Sequence, residues 1–119
     1  MKESSVCIIS NKEEEILLLK RFEYDRTLPN VYCLPGGKLE KGESASDGCV
    51  REVFEETGLT LSNVKFVCKK VNINFFTGVV DNFDIKISDE HSGYKFISLN
   101  EFDNYEIATV SKAVIISKQ

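Results

Sequence analysis

The segment GKLEKGESASDGCVREVFEETGL, residues 37–59, decides the fold of this 119-residue chain. Over positions 44–57, apolar or small residues recur at the i, i+3, i+4, i+7, i+8 spacing of an α-helix. They are Ser46, Cys49, Val50, Val53, Phe54 and Thr57. Ser44 with Asp47 three residues later resembles a capping box, and Gly58 stands where a left-handed residue commonly ends a helix. The segment therefore predicts an amphipathic helix whose stripe is buried.

The opposite side of this predicted helix is charged. At 100° per residue, Glu52, Glu55 and Glu56 fall within about 100° of one another. Like charges at neighbouring helix positions cost about 0.2–0.5 kcal/mol per pair, so a divalent cation would stabilise the cluster. Taken singly, each glutamate could belong to an ordinary solvated face, with Arg51 and Glu55 as a surface ion pair. A solvated face does not require glycines at fixed distances on either side, so the whole pattern favours a functional cluster.

The sequence LPGG, residues 34–37, precedes the helix. Pro35 restricts its own backbone, whereas Gly36 and Gly37 allow conformations closed to other residues and let a ligand approach the main chain. Magnesium prefers oxygen ligands and is commonly held by one or two carboxylates together with substrate phosphate oxygens. A carboxylate helix beside a glycine loop therefore predicts a magnesium site that receives a phosphorylated substrate.

Together these residues resemble a complete Nudix box. The pattern reads Gly37, five residues, Glu43, seven residues, Arg51, Glu52, Val53, one residue, Glu55, Glu56, one residue, Gly58 and Leu59. Tyr32 lies ahead of LPGG, where the family often has tryptophan. The resemblance implies an α/β fold, the Nudix-type α/β/α sandwich with a mixed β-sheet, and one Nudix hydrolase domain over residues 1–119. It also implies cleavage of the phosphate anhydride of a nucleoside diphosphate linked to another moiety, with Mg²⁺ or Mn²⁺ bound.

The resemblance further implies roles for individual residues. Glu52 resembles the general base or a metal ligand, depending on the subfamily. Arg51 resembles the residue that orients a catalytic glutamate, and Glu43 resembles the carboxylate that braces the loop. The implied metal ligands are the carbonyl oxygen of Gly36 and the carboxylates of Glu52, Glu55, Glu56 and, by a weaker match, Glu90. A plain acidic turn explains Glu90 almost as well.

Residues around the box are candidates for substrate binding. They are Arg21, Gly36, Gly37 and Lys38. In similar small hydrolases, basic residues after the second strand can contact substrate phosphates, and for Arg21 a solvated strand end is an equal alternative. His91, the only histidine, is predicted to be a loop residue rather than a ligand. Asn104 and Tyr105 are predicted, on position alone, to be near a nucleobase.

The resemblance to small MutT-like members favours a nucleoside triphosphate, or a modified one, as the substrate, with a nucleoside monophosphate and pyrophosphate as products. ADP-ribose, dinucleoside polyphosphates and RNA caps are alternative substrates. A catalytically silent nucleotide-binding module, or a structural partner in a complex, is an alternative from a different class. The intact box favours the enzyme. Many members of the family dimerise, so a homodimer belongs among the expectations.

Composition restricts the partners. A net charge of −4 and a sequence pI near 5.1 give no bulk attraction to polyanions, which argues against nucleic-acid binding except at a capped or triphosphorylated RNA end. No apolar run reaches the roughly 18–20 residues of a membrane span, and the amino-terminal run is shorter than a secretory core, so we expect a cytoplasmic protein without membrane partners. Four cysteines without CxxC spacing predict reduced thiols.

The rest of the chain predicts one sheet between helices. Residues 6–10 and 16–22 read as strands that form an opening hairpin, and residues 64–71, 74–80 and 83–87 read as further strands. Phe75, Phe76 and Phe83 are predicted to pack in the core rather than to stack on a nucleobase. Residues 100–119 predict a closing helix that Asn100 caps, with Ile107 on its apolar side.

Overall fold

The computed structural model describes residues 2–27 and 29–118, so residues 1, 28 and 119, including the last position of the predicted closing helix, lie outside the description. The elements are, in chain order, β1 (Ser4–Ile8), β2 (Ile16–Arg21), β3 (Tyr32–Cys33), β4 (Gly36–Lys38), helix α1 (Ala45–Thr57), β5 (Ser62–Lys70), β6 (Ile73–Val79), β7 (His91–Ile97), a 3-10 helix (Leu99–Asn104) and helix α2 (Thr109–Lys118).

Helix α1 begins and ends as its sequence predicts. The Ser44 side chain accepts a hydrogen bond from the N–H of Asp47 at 3.1 Å. Gly58 adopts a left-handed φ of 76° and its N–H bonds to the carbonyl oxygen of Phe54, which closes the last turn. The buried stripe differs from the prediction, because Phe54 is 56% exposed whereas Glu56 is only 6% exposed. The side of α1 that carries Glu56 therefore faces the protein.

The strands form two sheets rather than one. The first is mixed and has the order β4-β1-β6-β5, with β1 parallel to β6, and the second is antiparallel and has the order β3-β2-β7. The predicted opening hairpin is wrong. Strand β1 is hydrogen-bonded to β4 along one edge and to β6 along the other, so it has no free edge for β2. One bridge, between Ser10 and Ile16, and one bond, from the Leu17 N–H to the Ile9 carbonyl oxygen, connect the two chain segments.

Side chains alternate between two cores on opposite faces of these strands. The core beneath α1 contains Cys7, Ile9, Leu17, Leu19, Cys49, Val53, Leu59, Leu61 and Phe76. The core beneath α2 contains Ile8, Ile16, Leu18, Tyr32, Leu34, Phe75, Ile97, Phe102, Ile107, Val114 and Ile115. Because strands buried on both faces need a layer on each side, the predicted α/β/α sandwich with a mixed sheet is confirmed. Phe75 and Phe76 are core residues, and the cysteines are free thiols.

Residues 83–87 do not form the predicted strand. The N–H of Lys86 bonds to the carbonyl oxygen of Thr57, and the N–H of Ser88 bonds to that of Glu56, each at 2.9 Å. The extended segment thus satisfies carbonyl groups at the end of α1 that have no partner within the helix. Phe83 packs against the core beneath α1. The strand that completes the second sheet is β7, which follows this segment.

The predicted closing helix is interrupted. The chain between the 3-10 helix and α2 bonds to β3, where the Tyr32 N–H meets the Glu106 carbonyl oxygen at 2.8 Å and the Ala108 N–H meets the Tyr32 carbonyl oxygen at 3.0 Å. These bonds require extended backbone, so no continuous helix can form. Ser98, not Asn100, precedes the 3-10 helix. Among the described helices, none has the length and apolarity needed to cross a membrane.

The turn between β5 and β6 contains a strained residue. Val71 has a φ of 57° and is 76% exposed. A β-branched residue is a conformational outlier at positive φ, whereas asparagine tolerates this region.

We predict that Val71→Asn raises the free energy of unfolding by about 1 kcal/mol, measured by urea denaturation. Val79→Asn, at a half-exposed strand position, is the matched control and should not stabilise; equal gains in both variants would contradict the assignment of strain to Val71.

Candidate active site

Arg51 joins helix α1 to the loop that precedes it. Its Nε and Nη2 donate to the two carboxylate oxygens of Glu43 at 2.7 and 2.9 Å. Its Nη1 donates to Glu52 at 3.0 Å and to Glu55 at 3.1 Å. Nη2 also donates to the carbonyl oxygen of Lys38 at 3.1 Å. One guanidinium group therefore fixes the positions of three glutamates relative to strand β4.

The ion pair between Arg51 and Glu43 connects helix α1 to the loop before it through two hydrogen bonds. Hydrogen bonds from Arg51 and from the backbone N–H of Glu40 lower the pKa of Glu43 to about 2. The hydrogen bond to Glu43 is also the main cause that raises the pKa of Arg51. Both groups stay charged at neutral pH, and the paired N–H donors of an arginine match a carboxylate well. Glu43 is thereby suited to hold the loop, as the resemblance implies.

Glu56 connects α1 to the glycine loop from the other side. Its Oε1 accepts a hydrogen bond of 2.8 Å from the backbone N–H of Gly36, and its side chain is nearly enclosed. Burial raises the pKa of Glu56 to about 8; the Gly36 bond opposes this shift, and the negative charges of Glu52 and Glu90 add to it. A carboxyl group in this state gains strongly from a nearby cation.

Both glycines are closely packed, Gly36 against backbone and Gly37 against a side chain. Gly36 has a φ of 147°, and a Cβ atom there would lie 2.6 Å from the Cα of Val6 on the neighbouring strand. A Cβ atom on Gly37 would lie 2.6 Å from the Cδ of Glu52. The loop therefore lies directly between strand β1 and the carboxylate of Glu52.

A cleft of about 420 Å³ opens at this point. Its described lining consists of Ser4, Arg21, Cys33, Leu34, Gly36, Gly37, Lys38, Glu52, Glu56, Glu90 and His91. All four predicted substrate-binding residues belong to it, and so do Gly36, Glu52, Glu56 and Glu90 of the predicted metal ligands. Glu55 lies outside this lining, since its side chain is 55% exposed and is held by Arg51. Arg51 and Glu43 are not in the described lining, but Arg51 holds Glu52, which is.

Four residues of the described lining were not predicted as site residues, namely Ser4, Cys33, Leu34 and His91. His91 is the first residue of β7, is paired with Arg21 and is only 9% exposed, so it is not a loop residue. Burial lowers the pKa of His91, and the charge of Arg21 lowers it further, while Glu90 and Asp25 oppose the shift. Cys33 of β3 lies in the same part of the lining. In the sequence, only the position of His91 next to Glu90 could have indicated that His91 lines the cleft.

The oxygen donors of the cleft fit a hard divalent cation. Within residues 2–27 and 29–118, no three His, Cys, Asp or Glu side chains are already arranged as a metal-binding cluster. Magnesium does not need one, because it retains water and uses one or two carboxylates together with substrate oxygens. Glu90 raises the pKa of both Glu52 and Glu56 by its charge, although burial is the largest cause for each. A cation between these carboxylates would remove that repulsion.

Similarity to known proteins assigns the chain to a family. The model of the NUDIX domain matches residues 2–118. The chain belongs to the Nudix family. The crystal structure of a MutT protein from Methanosarcina mazei Go1 superposes on this Nudix fold with a TM-score of 0.74 at 29% identity, over 98% of this chain and 91% of that one. The predicted MutT-like membership of the Nudix hydrolase family is confirmed.

Curated relatives match over shorter stretches. The Nudix chain is 41% identical over 56 residues to the 8-oxo-dGTP diphosphatase of Escherichia coli (strain K12), which covers 47% of this chain and 43% of that protein. It is 40% identical over 55 residues to the m7GpppN-mRNA hydrolase NUDT17 of Danio rerio, over 46% of this chain and 18% of that protein. The matched stretches thus span less than half the length of these curated relatives.

The packing of Gly37 gives a prediction about stability. Gly37→Ala places a methyl group against the Glu52 carboxylate, so Glu52 must move away from its hydrogen bond with Arg51. The free energy of unfolding should therefore fall by about 0.5–1.5 kcal/mol, the usual contribution of one hydrogen bond. Gly93→Ala is the matched control, because a Cβ atom there has open space, and it should change stability by less than about 0.5 kcal/mol. Urea denaturation measures both. If Gly37→Ala and Gly93→Ala had the same free energy of unfolding, close packing of Gly37 against Glu52 would be contradicted.

Proposed function

We propose that residues 1–119 form one Nudix domain that hydrolyses a nucleoside triphosphate, or a modified one, to a nucleoside monophosphate and pyrophosphate with the help of Mg²⁺ or Mn²⁺. The observation that carries this proposal is the composition of the cleft. It combines three carboxylates, Glu52, Glu56 and Glu90, with the exposed main chain of the glycine loop and two cationic side chains, Arg21 and Lys38. A phosphate chain with a divalent cation complements both kinds of charge.

The size of the cleft supports a small substrate. Its volume of about 420 Å³ lies in the range of roughly 300–1,000 Å³ typical of small-molecule sites. The net charge of −4 means that the anionic substrate must be attracted locally. Arg21 and Lys38 provide that local positive charge. Arg21 is held in place by Asp25, with N–O distances of 3.0 Å from Nε and 2.8 Å from Nη2.

The ligands for the metal are proposed to be the carboxylates of Glu52, Glu56 and Glu90 and the carbonyl oxygen of Gly36. Bound there, a divalent cation would supply Lewis-acid polarisation of the phosphoryl group and a template for the phosphate chain. The resemblance also implies Glu55 as a ligand. That role stays a prediction, since the side chain of Glu55 bonds to Arg51 outside the cleft.

Glu52 is proposed to be the general base. Its carboxylate lines the cleft, occupies the space that a Cβ atom on Gly37 would need, and is held by one hydrogen bond from Arg51. Burial raises the pKa of Glu52, while that hydrogen bond lowers it; a raised pKa improves a carboxylate as a proton acceptor near neutral pH. In the proposed step, Glu52 takes a proton from the water that attacks phosphorus. Arg51 keeps the accepting carboxylate in position.

A second candidate function is hydrolysis of an RNA cap. The Danio rerio relative is named an m7GpppN-mRNA hydrolase, and a cap contains the same kind of phosphate anhydride. The Escherichia coli relative, named an 8-oxo-dGTP diphosphatase, matches with a larger share of its own length, which favours the triphosphate. Product release from a panel of nucleoside triphosphates, ADP-ribose, dinucleoside polyphosphates and capped RNA distinguishes the candidates. A panel without any product would favour the silent nucleotide-binding module.

Glu52→Gln tests the general base. The amide retains the size of the side chain but cannot accept the proton, so turnover should fall by roughly 10²–10⁴-fold while the unfolding midpoint is retained. The measurement is steady-state release of pyrophosphate at saturating Mg²⁺. Glu13→Gln, on an exposed loop, is the matched control and should keep full turnover. Turnover close to that of the unsubstituted protein in Glu52→Gln would remove this residue from the chemistry.

Glu56→Gln tests the metal site. The amide oxygen can still accept the hydrogen bond from Gly36, but the lost charge weakens binding of a divalent cation. The Mg²⁺ concentration for half-maximal activity should therefore rise by about tenfold or more, since hydrogen-bonded and ionic contacts of a charged group contribute about 1.5–3 kcal/mol. An unchanged requirement would contradict the assignment. The Mg²⁺ requirement of Glu55→Gln, measured in the same way, shows whether Glu55 binds the metal or only accepts a hydrogen bond from Arg51.

A further inference from the structure

His91 is a buried residue in the cleft that the proposed mechanism does not use. It lies at the start of β7, where its backbone pairs with Arg21 across a β-bulge. Its side chain is 9% exposed and lines the cleft with Arg21 and Cys33. A histidine enclosed to this degree in a polar cleft needs hydrogen-bond partners for its ring nitrogens.

The ring lacks one of these partners in the part of the chain that the structure describes. Nδ1 of His91 is buried and, among the described residues, has no hydrogen-bond partner. A buried ring nitrogen without a hydrogen-bond partner costs less free energy when it carries a lone pair near a cation than when it carries an N–H group without an acceptor. Arg21 supplies such a positive charge close to the ring. The ring proton then belongs on Nε2, the second ring nitrogen of a side chain that lines the cleft.

The surroundings of His91 suit an anionic oxygen. Arg21 is a cationic side chain whose charge acts on the ring, and it is fixed by its ion pair with Asp25. The negative charges of Glu90 and Asp25 also act on the ring, and Glu52 and Glu56 lie on the helix side of the same cleft. An N–H donor beside a guanidinium group presents two donors to one oxygen-rich ligand, which is the arrangement that phosphate groups favour. Imidazole offers this N–H whether it is neutral or charged.

We propose that His91 is a substrate-positioning residue whose Nε2–H donates a hydrogen bond to a phosphate oxygen of the substrate, next to the contact made by Arg21. The inference rests on the proposed function for the identity of the ligand, a polyphosphate chain. It adds a contact from β7 to those of the glycine loop. A ligand that contacts both β4 and β7 is held by both sheets of the sandwich. Its phosphate groups are thereby oriented relative to Glu52 on α1.

Nuclear magnetic resonance tests the contact without turnover. His91 is the only histidine in the chain, so its ring signals in a long-range ¹⁵N–¹H spectrum need no assignment by mutation. The probe is inorganic pyrophosphate with MgCl₂, compared with MgCl₂ alone. We expect the Nε2–H tautomer in the free protein and a saturable shift of the Nε2 signals only when pyrophosphate is present. Ring signals that do not move, or that move equally with MgCl₂ alone, would overturn the proposal.

Three variants distinguish a substrate contact from simple packing. His91→Gln places an amide N–H near the position of Nε2, His91→Asn places it near Nδ1, and His91→Phe fills the space without a donor. With the best nucleotide of the panel, KM should rise about tenfold or more in His91→Phe and His91→Asn, with a smaller change in kcat, and should be largely restored in His91→Gln. Equal KM values in the folded His91→Gln and His91→Phe variants would assign His91 to packing alone.

The two proposals can fail separately. If the unsubstituted protein hydrolyses no nucleotide, the proposed function fails, and the ring signals with pyrophosphate still decide whether His91 binds phosphate. If hydrolysis is observed but neither the ring signals nor KM respond, the proposed function stands and the role of His91 is rejected. Far-ultraviolet circular dichroism of each variant establishes that it is folded before KM is compared.

Discussion

The hydrogen bond from the Gly36 N–H to Glu56 is the contact on which the site depends. It ties a helix carboxylate to the main chain of β4, which in turn pairs with β1 at the centre of the mixed sheet. The contact requires glycine, because any side chain at Gly36 would overlap the neighbouring strand. The distance between the carboxylates and the loop is therefore set by backbone packing rather than by flexible side chains.

This arrangement concentrates negative charge that the protein only partly neutralises. Arg51 compensates Glu43 and holds Glu52 and Glu55 on one side of α1. On the other side, Glu56 has one backbone donor and keeps a raised pKa, mainly because it is buried. Buried carboxylates without full compensation are unfavourable for folding and are typical of functional sites. A bound cation would provide the missing compensation, which connects the electrostatics of the helix to the proposed chemistry.

The sequence predicted the local structure of α1 better than it predicted which strands pair. Local signals were sufficient for α1, since the Ser44 cap, the Gly58 terminus and the spacing of its glutamates all act within a few residues. Strand partners depend on contacts distant in sequence. Hence the opening hairpin was wrong, and residues 83–87 bond to carbonyl groups of α1 instead of to a strand. The burial of His91 followed from its pairing with Arg21, which no local pattern of residues encodes.

Locating a bound Mn²⁺ ion by anomalous X-ray scattering tests most directly whether the carboxylates of α1 hold a divalent cation. Crystals of the unsubstituted protein with MnCl₂ and a slowly hydrolysed nucleotide analogue provide the measurement. We expect an anomalous peak within about 2.0–2.5 Å of carboxylate oxygens of Glu52 or Glu56, the usual range for oxygen ligands of divalent cations, beside the carbonyl oxygen of Gly36. A saturated crystal with the ion elsewhere, or with no ion near α1, would contradict the metal-dependent mechanism.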